Sequence, residues 1–137
     1  MIYVRDWGIG NWFIDYETEP ERTIYWQVEK IEPNGVWYRN LTSWRTEPIP
    51  VPLTPEILEK CDGFRYYSEK EIIYDNWGDT LPWQIQYYKN VDGIWQLGLF
   101  VHTKQDFYEH VLTHIQYLHQ LQNFIYLTFN TELNFKP

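Results

Sequence analysis

His110, His114 and His119, three of the four histidines, fall close together near the C-terminal end of the chain. In a helix, His110 and His114 at i,i+4 share a face and could both reach a metal ion, with Asp106 and Glu109 beside them. The His-Glu-x-x-His order of a metalloprotease is absent, because Glu109 precedes His110, and His114 falls on the apolar face. A structural role outweighs a ligating one here, and no metal or other cofactor is expected. Cys61 is the single cysteine, which excludes an internal disulfide and a zinc ribbon. Placed at the electronegative end of a short helix, it is expected to stay a neutral thiol rather than a nucleophile. The carboxylate pairs Glu69/Glu71, Asp75/Asp79 and Asp15/Glu17 have no spacing that specifies a site. The stretch Asp15–Glu21 lacks the glycine and terminal glutamate of a calcium loop, and Gly8-Ile-Gly10 lacks the third glycine of a dinucleotide turn. Neither a phosphate loop nor a nucleophile elbow occurs.

Recognition chemistry is better represented. The chain holds 8 Trp, 12 Tyr and 7 Phe, and no alanine at all. Most of these rings are expected in the core, where each buries roughly 150–250 Å². Trp44 stands in a polar segment beside Arg45, while Trp77 and Trp83 flank the loop Gly-Asp-Thr-Leu-Pro. Aromatic rings in such places stack on a base or sugar, or anchor a protein interface. Arg45 and Arg65 would supply the cation for an anionic group. In Leu118-His-Gln-Leu-Gln-Asn123 the polar side chains are dense for a core helix. There His119, Gln122 and Asn123 serve either strand-edge backbone groups or a polar ligand. The expected ligand or partner surface is thus Trp44, Arg45, Arg65, Trp77, Trp83, His119, Gln122 and Asn123.

The elements that must position these residues are mostly strands. Ile9–Tyr16 and Thr23–Ile31 read as two strands, the second alternating Ile24, Trp26 and Val28 against Tyr25, Gln27 and Glu29. An acidic connector, Glu17–Glu21, lies between them. Pro33-Asn34-Gly35 signals a turn through residues that tolerate positive φ, and Val36–Arg39 follows as a strand. The prolines at 48, 50 and 52 force an extended run in which Ile49, Val51 and Leu53 share a core-facing side. Thr54 is then placed to cap a helix opened by Pro55, with Glu56–Cys61 as its body and Asp62-Gly63 as its stop. Phe64–Tyr67, Glu71–Asp75, Gln84–Lys89 and Ile94–Val101 read as strands, the last two joined at Asp92-Gly93, and Asn76–Asp79 as a looser loop. From about Asp106 the period becomes 3.6, and Phe107, Val111, His114, Ile115, Leu118, Leu121, Gln122 and Ile125 line one face of a long helix. The expected fold is α+β in a single domain spanning 1–137. It comprises a mostly antiparallel β-sheet or small barrel, one short central helix and a long C-terminal helix.

Three stretches, Arg5–Phe13 with Ile9-Gly10-Asn11, Pro48–Phe64 with its Pro-Ile-Pro-x-Pro-Leu-Thr helix start, and Ile115–Tyr126 with Leu-His-Gln-Leu-Gln-Asn, stand in that order. Together they resemble a family of small uncharacterised proteins of Bacteroidetes phages and prophages. The departures are Trp7-Gly8 before the first motif, Val51-Pro52 within the second, Cys61-Asp62 at its end, and Leu118 before the histidine of the third. The resemblance implies a mobile element in a bacterium as the setting and attaches no activity to any residue.

Charge narrows the partners. Nineteen acidic residues against eleven basic ones give a net charge of −8, and no basic run or face exists. Binding to duplex nucleic acid, which draws its affinity from phosphate neutralisation by Lys and Arg, is not expected. No apolar stretch approaches the roughly 20 residues that cross a bilayer, and no secretory signal opens the chain. A cytoplasmic location in an infected or lysogenic bacterial host follows, without a membrane partner. The expected function is a non-enzymatic binding module with an anti-defence role, blocking a host protein or sequestering a nucleotide-like signal. Alternatives are a virion or assembly component making homotypic contacts as a homo-oligomer, and a small hydrolase using His102, His110 or His114 with a carboxylate.

Overall fold

A computed structural model describes residues 6–15, 23–67, 72–75 and 82–137. The Glu17–Glu21 connector, the Asn76–Asp79 loop with Trp77, and the acidic residues Glu69 and Glu71 lie outside the described residues. In chain order the strands begin with β1 (Trp12–Asp15), β2 (Ile24–Gln27), β3 (Lys30–Glu32), β4 (Gly35–Tyr38), β5 (Ser43–Arg45) and β6 (Ile49–Pro50). Helix α1 (Pro55–Glu59) follows, then β7 (Phe64–Tyr67), β8 (Ile72–Asp75), β9 (Trp83–Lys89), β10 (Trp95–His102), β11 (Phe107–Val111) and α2 (Leu118–Phe129). The chain divides into two compact units: Met1–Leu53 with Gln116–Leu133, and Thr54–Ile115 with Asn134–Lys136. Among the described residues the fold is mostly antiparallel β with two helices rather than an even α+β mixture. Its three sheets are open, so the barrel alternative does not hold.

The first unit carries two three-stranded sheets, ordered β2-β1-β6 and β3-β4-β5, with α2. The run Thr23–Ile31, expected as one strand, serves both sheets. Val28 still bonds Gly10 and Asn11 beside β1, whereas the Glu29 N–H already donates to the Trp37 carbonyl of β4. The β3–β4 turn is Pro33-Asn34, and neither Asn34 nor Gly35 adopts positive φ. Gly35 is required for a different reason. A Cβ there would lie 2.5 Å from the Arg45 carbonyl oxygen and 2.5 Å from the Trp44 ring. Phe13, Val28, Val36 and Tyr38 are enclosed with Trp7, and Trp26 and Ile31 pack against them. Phe13 meets Tyr38 edge-on at 4.9 Å, a geometry worth about 0.5–1.5 kcal/mol beyond the area buried.

The proline run departs from its expected pattern at one position. Val51 and Leu53 are buried, but Ile49 is 42 % exposed. Between Pro50 and Pro52 the chain changes partner, from β1 to the bridge with Tyr117, and its faces turn with it. The long C-terminal helix is also corrected, because its first half is β11, paired with β10 from Gly98↔Val111 to His102↔Phe107. Phe107, Tyr108 and Val111 favour strands, and the ladder with β10 bonds the backbone groups on that side of β11. The 3.6-residue period is real only from Leu118, where Leu118, Leu121 and Ile125 are fully buried. Gln120 opens α2 by accepting from the N–H groups of Gln116 and Tyr117, and Asn130 closes it in the left-handed conformation.

The second unit is a five-stranded antiparallel sheet, ordered β11-β10-β9-β8-β7, with α1. Thr54 Oγ1 accepts from the Ile57 N–H at 3.2 Å, Pro55 occupies the first helical position, and Ile57 and Leu58 are buried. Such a cap is worth about 1 kcal/mol. Gly63, at φ 91, makes the stop. In the β9–β10 loop Asn90 Oδ1 accepts from Asp92 and Ile94, and Gly93 takes φ 77.

Candidate functional site

The first unit carries an aromatic groove of about 300 Å³. Trp12 of β1 and Tyr25, Trp26 and Gln27 of β2 form one wall, and Glu29, Arg39 and Asn40 complete it. Period two alone sends Tyr25 and Gln27 to the face opposite Trp26. The groove gathers residues of both parities because it lies where β2 gives way to the β4–β5 turn. Gln27 is held in place by donating to the Gly10 carbonyl at 3.0 Å.

That turn is unusual. Arg39, Asn40 and Leu41 take φ 58, 58 and 60, three consecutive non-glycine residues in the left-handed region. Each costs about 1–2 kcal/mol, somewhat less for Asn, and surrounding bonds must hold the conformation. Glu29 Oε1 accepts from the Leu41 N–H at 3.1 Å, the Thr42 N–H donates to the Tyr38 carbonyl at 3.2 Å, and the Thr42 hydroxyl donates to the Arg39 carbonyl. From this turn the Arg39 guanidinium lies over the Trp26 ring, 4.9 Å from its centroid. A cation thus stands at the rim of an aromatic surface, with the Gln27 and Asn40 amides beside it. This arrangement can stack a planar ring, bond its polar edge and meet an anionic group.

The residues expected from sequence are distributed differently. Trp44 lies half-buried against Trp37, ring centroids 5.1 Å apart, over Gly35. Arg45 pairs with the fully buried Asp15 carboxylate and donates through Nε to the Tyr38 hydroxyl at 3.3 Å. The Tyr38 hydroxyl in turn donates to Asp15 at 3.4 Å, and both bonds to Arg45 raise its already high pKa, Tyr38 foremost. Gln122 accepts from the Trp12 N–H and donates to the Gly10 carbonyl, and Asn123 accepts from Asn11 and donates to the Asp6 carbonyl. These two amides therefore serve backbone and neighbouring amide groups of the same unit. His119 is enclosed, stacked 3.9 Å from Trp7 at 13°, with neither ring nitrogen hydrogen-bonded. In the second unit, Arg65 is exposed on β7 and Trp83 is half-buried on β9 opposite Val101. Trp77 lies outside the described residues.

The histidines are not aligned on one helix. His102 ends β10, His110 is on β11 and His114 follows it in a turn, all three exposed. Among the described residues no group of three or more His, Cys, Asp or Glu stands close enough to hold a metal ion. Cys61 follows α1 with 2 % exposure, donates to the Ile57 carbonyl, and has its thiol pushed up to about 12 by burial and by Asp62. Among the described residues no helix is long and apolar enough to cross a membrane. The groove residues Trp12, Tyr25, Trp26 and Arg39 escape a sequence reading because the Arg39–Leu41 turn carries no glycine to announce it. The only local hint is Asn40, the residue type that best tolerates positive φ after glycine.

No known protein family, no curated protein and no solved structure matches the chain.

Proposed function

We propose that this chain is a non-enzymatic binding module whose aromatic groove sequesters a small planar anion of the nucleotide class. The observation that carries this reading is the Arg39 guanidinium over Trp26, presented from a turn of three consecutive left-handed residues. Strain of that size persists where a defined geometry is needed, and this turn presents a cation beside stacking surface. Base stacking contributes about 1–3 kcal/mol, and an arginine–phosphate bond about 1.5–3 kcal/mol. The chain's net charge of −8 disfavours long polyanions, while the groove holds a local basic residue, Arg39, toward a single small anion. In the phage or prophage setting that the sequence motifs suggest, the role is anti-defence: withdrawal of a nucleotide-like signal from the host.

The test is a thermal-shift panel of mononucleotides, dinucleotides and cyclic nucleotides, with native mass spectrometry of protein purified from infected cells. A shift that Arg39→Gln weakens roughly ten- to a hundredfold in affinity supports the reading. A clean unliganded mass, with no shift anywhere in the panel, sinks it.

A further inference from the structure

Independently of the groove, we propose that β11 is a homotypic docking edge, on which two copies of the chain pair β11 against β11 in antiparallel register with Tyr108 at the two-fold axis. β11 is an outer strand of its sheet. The Leu112 N–H donates to the Leu97 carbonyl and the Thr103 N–H to the Asp106 carbonyl. Because hydrogen-bonded pairs alternate along an antiparallel ladder, the even-numbered residues of β11 face β10. The N–H and C=O groups of Phe107, Glu109 and Val111 therefore point away from the sheet, and no described residue bonds them.

Sheet edges are ordinarily blunted by proline, lysine or a bulge. Residues 107–111 contain no proline or lysine, and their register with β10 is unbroken. All five are exposed, including Phe107 at 54 % and Tyr108 at 55 %. The strand is nonetheless ordered from behind, since Glu109 accepts from the Tyr88 hydroxyl and Phe107 packs on Phe100 and His102.

Self-complementarity of the edge identifies a second copy as the occupant, because at one register each Asp106 carboxylate meets an imidazole of the other copy that can donate a hydrogen bond. Paired residues must point to the same face, so a two-fold between copies has to pass through a residue and never between two. An axis at Glu109 sets carboxylate against carboxylate in an already acidic chain, and one at His110 sets imidazole against imidazole. An axis at Tyr108 sets Asp106 opposite His110 twice and pairs Phe107 with Glu109 through the outward-pointing groups. It also places the two Tyr108 residues in the close, non-hydrogen-bonded position, where cross-strand aromatic pairs interact best. A single strand pair is smaller than the roughly 800 Å² per partner of a stable interface, so the dimer is concentration-dependent.

Cysteine scanning under mild oxidation tests both the partner and the register, with Cys61 too buried to contribute. Tyr108→Cys should give a covalent dimer, because Cα atoms in a non-hydrogen-bonded pair stand within disulfide range, whereas Glu109→Cys and His110→Cys should not. Sedimentation velocity of otherwise unmodified protein should show a dimer that Glu109→Pro abolishes. That proline removes an outward N–H and, with the carboxylate, the bond from Tyr88, while the β10 backbone ladder stays intact and circular dichroism should be unchanged. Glu109→Leu, which loses the same bond to Tyr88 but keeps the N–H, should still dimerise. A chain that stays monomeric at high concentration, a dimer that survives Glu109→Pro, or cross-linking favoured at 109 or 110 overturns the proposal.

Discussion

Acid is the most informative perturbation of the first unit, because His119 sits in its interior with neither ring nitrogen hydrogen-bonded. Protonation would put a cation among Trp7, Tyr117 and apolar neighbours with both ring nitrogens unpartnered. Burial therefore holds the imidazole down at about 4, against an ordinary 6.5, while the Asp6 carboxylate pulls in the opposite direction. Unfolding returns the ring to water and to its ordinary value. Between the two values the unfolded chain binds the additional proton, so this contribution is complete above pH 6.5 and is lost as the pH falls toward 4. A gap of about 2.5 pH units at about 1.4 kcal/mol each amounts to about 3 kcal/mol, of which about 2 kcal/mol has gone by pH 5. With a urea slope of about 2 kcal/mol/M, the midpoint drops by about 1 M between pH 7 and pH 5 from this residue alone. His119→Leu fills the site with an apolar side chain and removes the titration, and contributions from carboxylates common to both proteins cancel in the difference. Urea unfolding at the two pH values, followed by tryptophan fluorescence, should show the variant gaining about 2 kcal/mol on the native chain at pH 5. Parallel decline of the two proteins would refute the argument that His119 is neutral and unpaired in the fold.

Arg45→Met strands the fully buried Asp15 carboxylate and should cost about 2–4 kcal/mol in urea unfolding, most of it recovered when Asp15→Leu is added. Gly35→Ala drives a methyl group into a carbonyl oxygen and an indole, and should cost at least about 2 kcal/mol. Gly98→Ala meets only ring atoms at 3.1 and 3.2 Å and should cost less, which calorimetry of the two variants would check. Cys61 should resist alkylation at pH 8 until the chain unfolds, so its labelling rate should rise with denaturant, as mass spectrometry would follow.

What the sequence discloses here is what depends on neighbours in the chain. Thr54 and Pro55 announce α1 because a cap and a first turn are local, and Asp92-Gly93 announces its hairpin for the same reason. The misread helix around Phe107–Ile115 arises because apolar residues spaced three and four apart also satisfy a short strand followed by a turn. Only the pairing with β10, distant from any local cue, decides between them. Gly35 is conspicuous in sequence, but its purpose is visible only once Trp44 lies across it. The groove is least legible of all: Trp12, Tyr25 and Trp26 look like core filling, and Arg39 looks like a strand end. Their convergence depends on a turn stabilised by Glu29, ten residues before Arg39 in the chain.

The alternation of the two units along the chain sets an order of assembly. Thr54–Ile115 is an insertion between Leu53 and Gln116, so a ribosome delivers the whole five-stranded sheet before any residue of α2 emerges. β1 must wait through that interval for the Gln122 and Asn123 amides that complete its surroundings. Asn134–Lys136 then rejoin the second unit, as the Asn134 carbonyl accepts from Asp62 and the Lys136 N–H donates to Lys60. A stop codon after Ile115 would leave the sheet entire and the groove-bearing unit without its helix.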